Sequence, residues 1–142
     1  MIKLYIIVRT DMASMNAGRT AAQSAHAANY FVKMAKDLIE DLPEDDPFVK
    51  NFYEWESQTF QGYGTTIVLD GGSLDELNTL VGEIDDDYFT SIVIDPEYPI
   101  QDGNYTHFVK DVKTCAFAFP FCAEKTSPLN NPLKRLHLYG KD

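Results

Sequence analysis

Cysteine is scarce in this chain: Cys115 and Cys122 are the only two in 142 residues. Two cysteines build no disulfide framework, so a reducing compartment is the default and a cytoplasmic location is expected. Neither sits in a CxxC pair, and no His/Cys cluster has metal-ligand spacing, so neither a metal nor a cofactor is expected. Long apolar runs are missing as well. None approaches the roughly 20 residues needed to span a bilayer, which argues against a membrane partner. The short apolar stretch Met1 to Arg9 alternates with charge and lacks a small-residue cleavage site, so it reads as a strand and not a signal peptide. Walker loops, GxGxxG and GxSxG are absent. Positive charge is in short supply: 12 Lys+Arg stand against 22 Asp+Glu, a net charge of -10. Taken alone, that balance argues against nucleic acid, because phosphate binding rests on Lys and Arg. Core material is plentiful. With 44% hydrophobic and 13% aromatic residues, the chain is not a disordered one and fits a single globular domain.

Ile2 to Val8 (IKLYIIV) is a nearly continuous β-branched and aromatic run, the pattern of a strand buried on both faces. A loop, Met12 to Ala17, leads into a helix predicted from about Gly18 to Leu42. Its apolar stripe is expected at Ala21, Ala25, Ala28, Val32, Ala35 and Ile39, at spacings of four and three. Pro43 to Pro47 (PEDDP) breaks the helix in an acidic turn. Phe48, Phe52 and Trp55 then predict a second helix over Phe48 to Phe60, and Thr65 to Leu69 a second strand. Ser73-Leu74-Asp75-Glu76 is a capping box that opens a third helix with the stripe Leu74, Leu77, Val81 and Ile84. Asp85-Asp86-Asp87 is expected beyond its last turn, since acids oppose a helix C-terminus. Thr90 to Ile94 predicts a third strand, Asp95 to Asp111 a turn-rich connection, and Thr114 to Phe119 a fourth strand. The leucines of Leu133 to Tyr139 can dock on the body. The order β-α-α-β-α-β-β describes a three-layer α/β sandwich with a four-stranded mixed sheet.

Two segments carry candidate chemistry. Arg19, Gln23, His26 and Tyr30 fall at spacings of four, three and four, which predicts one helical face. A cation, an amide, an imidazole and a phenol then line up beside a helix N-terminus, which favours anions. Such a face can bind an anion and support hydrolysis; equally, Gln23 and His26 can satisfy buried backbone groups near the sheet. The strand ends are the second candidate. Asp11 follows the first strand and Asp95 the third, and open α/β sheets place ligands at strand C-termini. Asp102, Thr106 and His107 lie in the connection that follows. Carboxylates and a hydroxyl there can orient water, although Asp95-Pro96 and Asp102-Gly103 are also ordinary turn dipeptides. Arg9 and Asp11 can be no more than a surface ion pair.

Arg9-Thr10-Asp11-Met12, followed by Gly18-Arg19-Thr20-Ala21-Ala22-Gln23-Ser24-Ala25-His26-Ala27-Ala28, resembles the signature of the archaeal/eukaryotic-type (class two) peptidyl-tRNA hydrolases. That signature reads R-x-D-(L/I), a short loop, then G-K-x-A-A-Q-x-x-H-A, and it follows a first strand. Thr114 to Pro120 (TCAFAFP) and Leu136 to Tyr139 (LHLY) are similar to the family's last strand and closing segment. The resemblance implies one peptidyl-tRNA hydrolase-like domain over residues 1–142. It places Arg19 on the family's catalytic lysine; arginine keeps the charge but cannot be deprotonated. It also implies Arg9, Asp11, Gly18 and Gln23 as substrate-binding positions. The family's D-A-G-R-T segment is altered. Placed by its strand, the aspartate is Asp95; placed by the D-x-x-x-T spacing, it is Asp102 with Thr106, at the cost of about seven inserted residues. Pro96-Glu97 and Thr114-Cys115 are similar to a divergent branch, the peptidyl-tRNA hydrolase domain-containing proteins.

The function so implied is hydrolysis of the ester between a peptide and the 3′ adenosine of tRNA. Arg19, His26, Asp95, Asp102 and Thr106 are then the candidate catalytic residues. No cofactor is implied, the substrate partner is the 3′ end of peptidyl-tRNA, and a homodimer would be usual for the family. The alternative is a member that binds tRNA ends or a protein partner without turnover. An acidic mimic of nucleic acid ranks last, because the acids cluster in loops and do not cover one face. Eight of the 22 acids lie in Asp37 to Glu56 and four more in Glu83 to Asp87. Residues 9 to 36 hold Arg9, Arg19, Lys33 and Lys36 against Asp11 alone. The net charge therefore permits a locally basic site and predicts weak, salt-sensitive binding of an RNA held by its end.

Overall fold

The computed structural model describes residues 1–140. In chain order it contains β1 (Lys3–Arg9), α1 (Ala17–Glu40), α2 (Pro47–Glu56), β2 (Thr65–Gly72), α3 (Leu74–Ile84), β3 (Tyr88–Asp95), β4 (Tyr98–Asp102), β5 (Tyr105–Val109), β6 (Val112–Pro120) and a 3₁₀ turn, Pro132–Arg135. β2, β1, β6 and β3 form one sheet in that order. β1 and β2 are parallel, and β6 runs antiparallel to both β1 and β3. The expected mixed four-stranded sheet is the one observed. α1 and α2 cover one face, on which Leu4, Ile6, Val8, Phe117 and Phe119 lie; α3 and the 3₁₀ turn cover the other, which carries Tyr5, Ile7, Ala116 and Ala118. Strand periodicity assigns alternate residues of β1 and β6 to the two layers.

Local chemistry starts each helix. Asn16 Oδ1 accepts from the Arg19 N–H, Asp46 from the Phe48 N–H, and the Ser73/Glu76 capping box is present in both directions. Asp85 caps α3 at its end, so the acidic triplet lies past the helix as expected. α2 ends at Glu56, earlier than its aromatic spacing suggests, and Phe60 is 98% exposed. Gly64 is a packing requirement: a Cβ there would fall inside the ring and carbonyl of Trp55. That ring is fixed by Trp55 Nε1 donating to the Thr65 carbonyl at 2.8 Å.

The stripe of α1 departs from expectation. The buried residues are Thr20, Gln23, Ala27, Phe31 and Ala35, whereas Ala21 and Ala25 are exposed. Phe31 decides the rotation. Its ring lies 4.9 to 5.9 Å from those of Phe119, Phe117, Trp55 and Phe52, and burying one phenyl outweighs burying several methyls. The second departure is in the connection after β3. It holds the hairpin β4–β5, joined by Gly103 and Asn104, with Gly103 at φ +58.

The tail docks on the body as its leucines suggest. Leu138 bridges Leu69, the Tyr139 N–H donates to the Val68 carbonyl, and the Thr20 and Tyr139 hydroxyls lie 2.9 Å apart. Glu124 fastens the far end, accepting from the Tyr5 and Tyr88 hydroxyls and from Lys134 Nζ at 3.1 Å. Asn131 donates to the Tyr88 oxygen at 2.7 Å. Burial and the bond to Glu124 push the Tyr88 phenol well above its ordinary range. For Lys134 burial acts downward, but the bonds to Tyr5 and Glu124 outweigh it and the ammonium is held charged. This fully bonded cluster is a staple for the tail.

Candidate functional site

The C-terminal ends of β1 and β3, the start of β6 and the N-terminus of α1 meet at one end of the sheet. The chain runs along β1 to this end, returns along α1, and repeats the cycle through β2 and α3. The acid-rich stretches, Asp37 to Asp46 and Glu83 to Asp87, therefore lie at the opposite end.

At the centre is a relay of three side chains. The Thr114 hydroxyl donates to Gln23 Oε1 at 2.7 Å, and Gln23 Nε2 donates to Asp95 Oδ2 at 2.7 Å. Asp95 Oδ1 accepts from the Glu97 N–H at 2.9 Å. Gln23 is 2% exposed and Thr114 fully buried, so the amide has one orientation: its oxygen can meet only the threonine donor, and its nitrogen is turned to the carboxylate. Asp95 is half-buried and holds its oxygens through two donors. Each oxygen keeps a second lone pair for water.

Arg19 stands one turn before Gln23. Its Nε donates to the Pro99 carbonyl at 2.7 Å and its Nη1 to the Ser14 carbonyl at 3.1 Å. The guanidinium thus ties α1, the preceding loop and β4 together, and its remaining N–H donors stay available to an anion. Tyr98 helps from below, its hydroxyl 3.1 Å from Ser14 Oγ. Gly18 sits in the first turn of α1, where a Cβ would meet nothing closer than Asn16 Oδ1 at 3.6 Å. The fold itself does not require glycine there, which leaves the backbone open to close approach.

Arg9 and Asp11 form a bidentate pair, with Nε–Oδ1 at 2.7 Å and Nη2–Oδ2 at 3.0 Å. Arg9 Nη1 also donates to the Lys113 carbonyl, and Asp11 Oδ2 accepts from the Leu74 N–H at the start of α3. The pair therefore joins β1, β6 and α3, and is more than a surface contact. The hydrogen bonds from Arg9, against a smaller opposing effect of burial, hold the Asp11 carboxyl below its ordinary range. A lowered pKa in the folded state makes this interaction present above the unfolded value of about 3.9 and lost as pH falls through the folded value. Asp11→Asn should thus lower the urea midpoint at pH 7. The gap to wild type should shrink only once pH falls below the ordinary carboxylate value of about 3.9, read from urea unfolding across that range.

The helical face expected to carry Arg19, Gln23, His26 and Tyr30 together is divided. Because α1 is turned by Phe31, Gln23 points into the protein, whereas His26 and Tyr30 are exposed. Tyr30 rests edge-on against the Phe117 ring at 5.9 Å. Asp102 and Thr106 are not gathered with Arg19 and Gln23. They lie on the exposed hairpin, Asp102 3.6 Å from His107 and Thr106 donating to Gln101 Oε1 at 3.2 Å. Of the two candidate aspartates, it is Asp95 that meets Gln23. Thr114 and the structural use of Tyr98 were not singled out beforehand. Cys115 is an inert neighbour: burial pushes its thiol up to about 11, far from a reactive thiolate.

With this geometry in view, the family model for peptidyl-tRNA hydrolase PTH2 matches residues 2–139. The chain belongs to the peptidyl-tRNA hydrolase PTH2 family. The match takes in Arg9, Arg19, Gln23, Asp95 and Thr114 alike, together with the docked tail through Tyr139. No curated protein sequence matches the chain. No helix among the described residues is long and apolar enough to cross a membrane.

Proposed function

We propose that this chain, as one domain over residues 1–142, is an active peptidyl-tRNA hydrolase that uses Asp95 as its base. The observation that carries this reading is the Thr114–Gln23–Asp95 relay, which fixes a carboxylate on Gln23, itself one helical turn along α1 from Arg19. Water bound to Asp95 attacks the ester carbonyl carbon and gives its proton to the carboxylate. The oxyanion that forms is held by the free N–H donors of Arg19 and by the α1 N-terminus beside Gly18. The bond to the 3′ oxygen of the adenosine breaks, and that oxygen takes the proton back from Asp95. The products are a free tRNA 3′ hydroxyl and a peptide acid, which loses its remaining proton to solvent as the carboxylate. The Arg9–Asp11 pair, at the same end of the sheet, contacts the substrate, and His26 faces the tRNA end from the solvent side of α1.

A charged residue that never loses its proton suits this scheme, because the cation only holds charge. Arg19→Lys keeps the charge but cannot serve the Pro99 and Ser14 carbonyls and an oxyanion with one forked group. It should lower kcat/KM about tenfold or more, the scale of one hydrogen bond to a charged group, measured as release of the N-blocked amino acid from N-acetyl-aminoacyl-tRNA. A gain in rate would instead assign Arg19's position a proton-transfer role and sink the scheme. One feature favours the second reading, a binder of tRNA ends without turnover: Arg19 already gives two donors to its own chain. Under that reading Arg19→Lys weakens tRNA binding and wild type releases no peptide.

A further inference from the structure

The hairpin begins three residues past Asp95 and pairs Tyr98 with Val109, Pro99 with Phe108, Ile100 with His107, Gln101 with Thr106 and Asp102 with Tyr105. In an antiparallel pair, successive residues turn their N–H and C=O alternately toward and away from the partner strand. Pro99 sets the phase: its carbonyl points out to Arg19, and proline has no N–H. Pro99 and Gln101 therefore face outward on β4, and Thr106 and Phe108 face outward on β5. Arg19 covers the outer edge of β4. Among the described residues the outer edge of β5 is bare, with all five of its residues exposed, Tyr105 at 74% and Phe108 at 61%. Natural edge strands deter pairing with lysine, proline or a bulge, and Tyr105–Val109 (YTHFV) has none of these.

We infer that the outer edge of β5 receives the peptidyl part of the substrate as an added strand. The inference rests on the hydrolase reading and deepens it. Substrates with different peptides share only the ester and the polypeptide backbone, and strand addition recognises backbone while reading few side chains. The outward N–H and C=O groups of Thr106 and Phe108 offer rungs about 7 Å apart, the repeat of an extended chain. Continuity with the site comes through β4, one strand spacing of about 4.8 Å from β5, whose opposite edge is held by Arg19. A chain leaving the ester must cross that width, so its first three or four residues bridge and later ones pair. His107 and Tyr105 lie on the face that continues Tyr98 and Ile100, leaving the edge itself to backbone.

The test compares kcat/KM for N-acetyl-aminoacyl-tRNA and for an N-acetyl-heptapeptidyl-tRNA ending in the same amino acid. Wild type should favour the longer substrate by about tenfold, the scale of two backbone hydrogen bonds. Phe108→Pro removes an outward N–H without touching the pairing to β4. It should lose that preference while cleaving the short substrate as wild type does. Phe108→Ala keeps the N–H and should keep the preference. A preference that survives Phe108→Pro, or none in wild type, overturns the inference. If wild type cleaves neither substrate, the hydrolase reading fails on its own. The edge is then tested by adding free N-acetyl-heptapeptide amide to the ¹⁵N-labelled protein. Shifts at the Thr106 and Phe108 amides would support strand addition, and unmoved amides would refute it. The same shifts appearing with protein concentration alone would give the edge to a second copy and also refute it.

Discussion

Asp95→Asn is expected to lower kcat for peptide release by about 10²- to 10⁴-fold, the usual contribution of a positioned general base. The amide cannot take a proton from water. It also disturbs the site's hydrogen bonding: Asp95 accepts from both Gln23 Nε2 and the Glu97 N–H, and asparagine has one acceptor oxygen for two donors. A stability control therefore belongs beside the kinetics. Binding of uncharged tRNA should change by no more than about threefold, because the carboxylate acts on water and not on phosphate; a half-unit of pKa-scale energy is the size of that limit. Equal losses in tRNA binding and in rate would mean that Asp95 builds the site without acting in it. The companion variant is Thr114→Val, which leaves Gln23 Oε1 without its buried donor. Thr114→Ser should restore both rate and stability, since it returns the hydroxyl.

The largest effect on folding is expected at Phe31. Fully buried, it packs against rings from α2 and from β6, and it sets the rotation of α1 that turns Gln23 toward Asp95. Phe31→Ala should cost about 3–5 kcal/mol, the range for emptying a phenyl from a packed core. That is a large share of the 5–15 kcal/mol typical of a domain, so the variant should unfold at much lower urea. Where it stays folded, activity should drop as well, because a helix freed from its ring anchor loses the geometry of Gln23. A cost below about 1.5 kcal/mol would show that the cavity collapses and that Phe31 does not hold the helix.

The four sheet strands and the order of elements along the chain were legible because the strands are short apolar runs bounded by prolines, glycines and caps. Ser73 and Glu76 announced α3 from spacing alone, and the family signature pointed to Arg19, Gln23 and Asp11 before any contact was known. What failed was orientation. The alanines of α1 form a regular stripe, but small side chains gain little from burial, and one phenylalanine outside that stripe overrode them. Gln23 read equally as part of an anion-binding face or as a partner for buried backbone groups, because its actual side-chain partners lie 72 and 91 positions away, at Asp95 and Thr114. The hairpin was hidden by Pro96 just before it and Pro99 within it, which read as turns. Yet Gly103-Asn104 between Tyr98–Asp102 and Tyr105–Val109 is a two-residue hairpin loop in sequence as well, glycine supplying the positive φ that opens it. The hairpin sets Asp102 and Thr106 apart from the end of β3.

The acidic balance that first argued against RNA is offset only in part by where the charges fall. The acid-rich stretches follow α1 and α3 to the end of the sheet away from Arg9 and Arg19. Asp11, Asp70, Asp75, Glu76, Asp95 and Glu97 stay at the site end, so binding should be weak and should weaken further as salt rises.

The most direct test of the account is a single-turnover assay. Purified protein in excess is mixed with N-acetyl-aminoacyl-tRNA labelled in the acyl group, and ester cleavage and tRNA binding are followed together. Hydrolysis by the Asp95 site predicts first-order release of the acylated amino acid and a free tRNA 3′ end, with release slowed by about 10²- to 10⁴-fold in Asp95→Asn. Stable binding of the tRNA with its ester intact would contradict it.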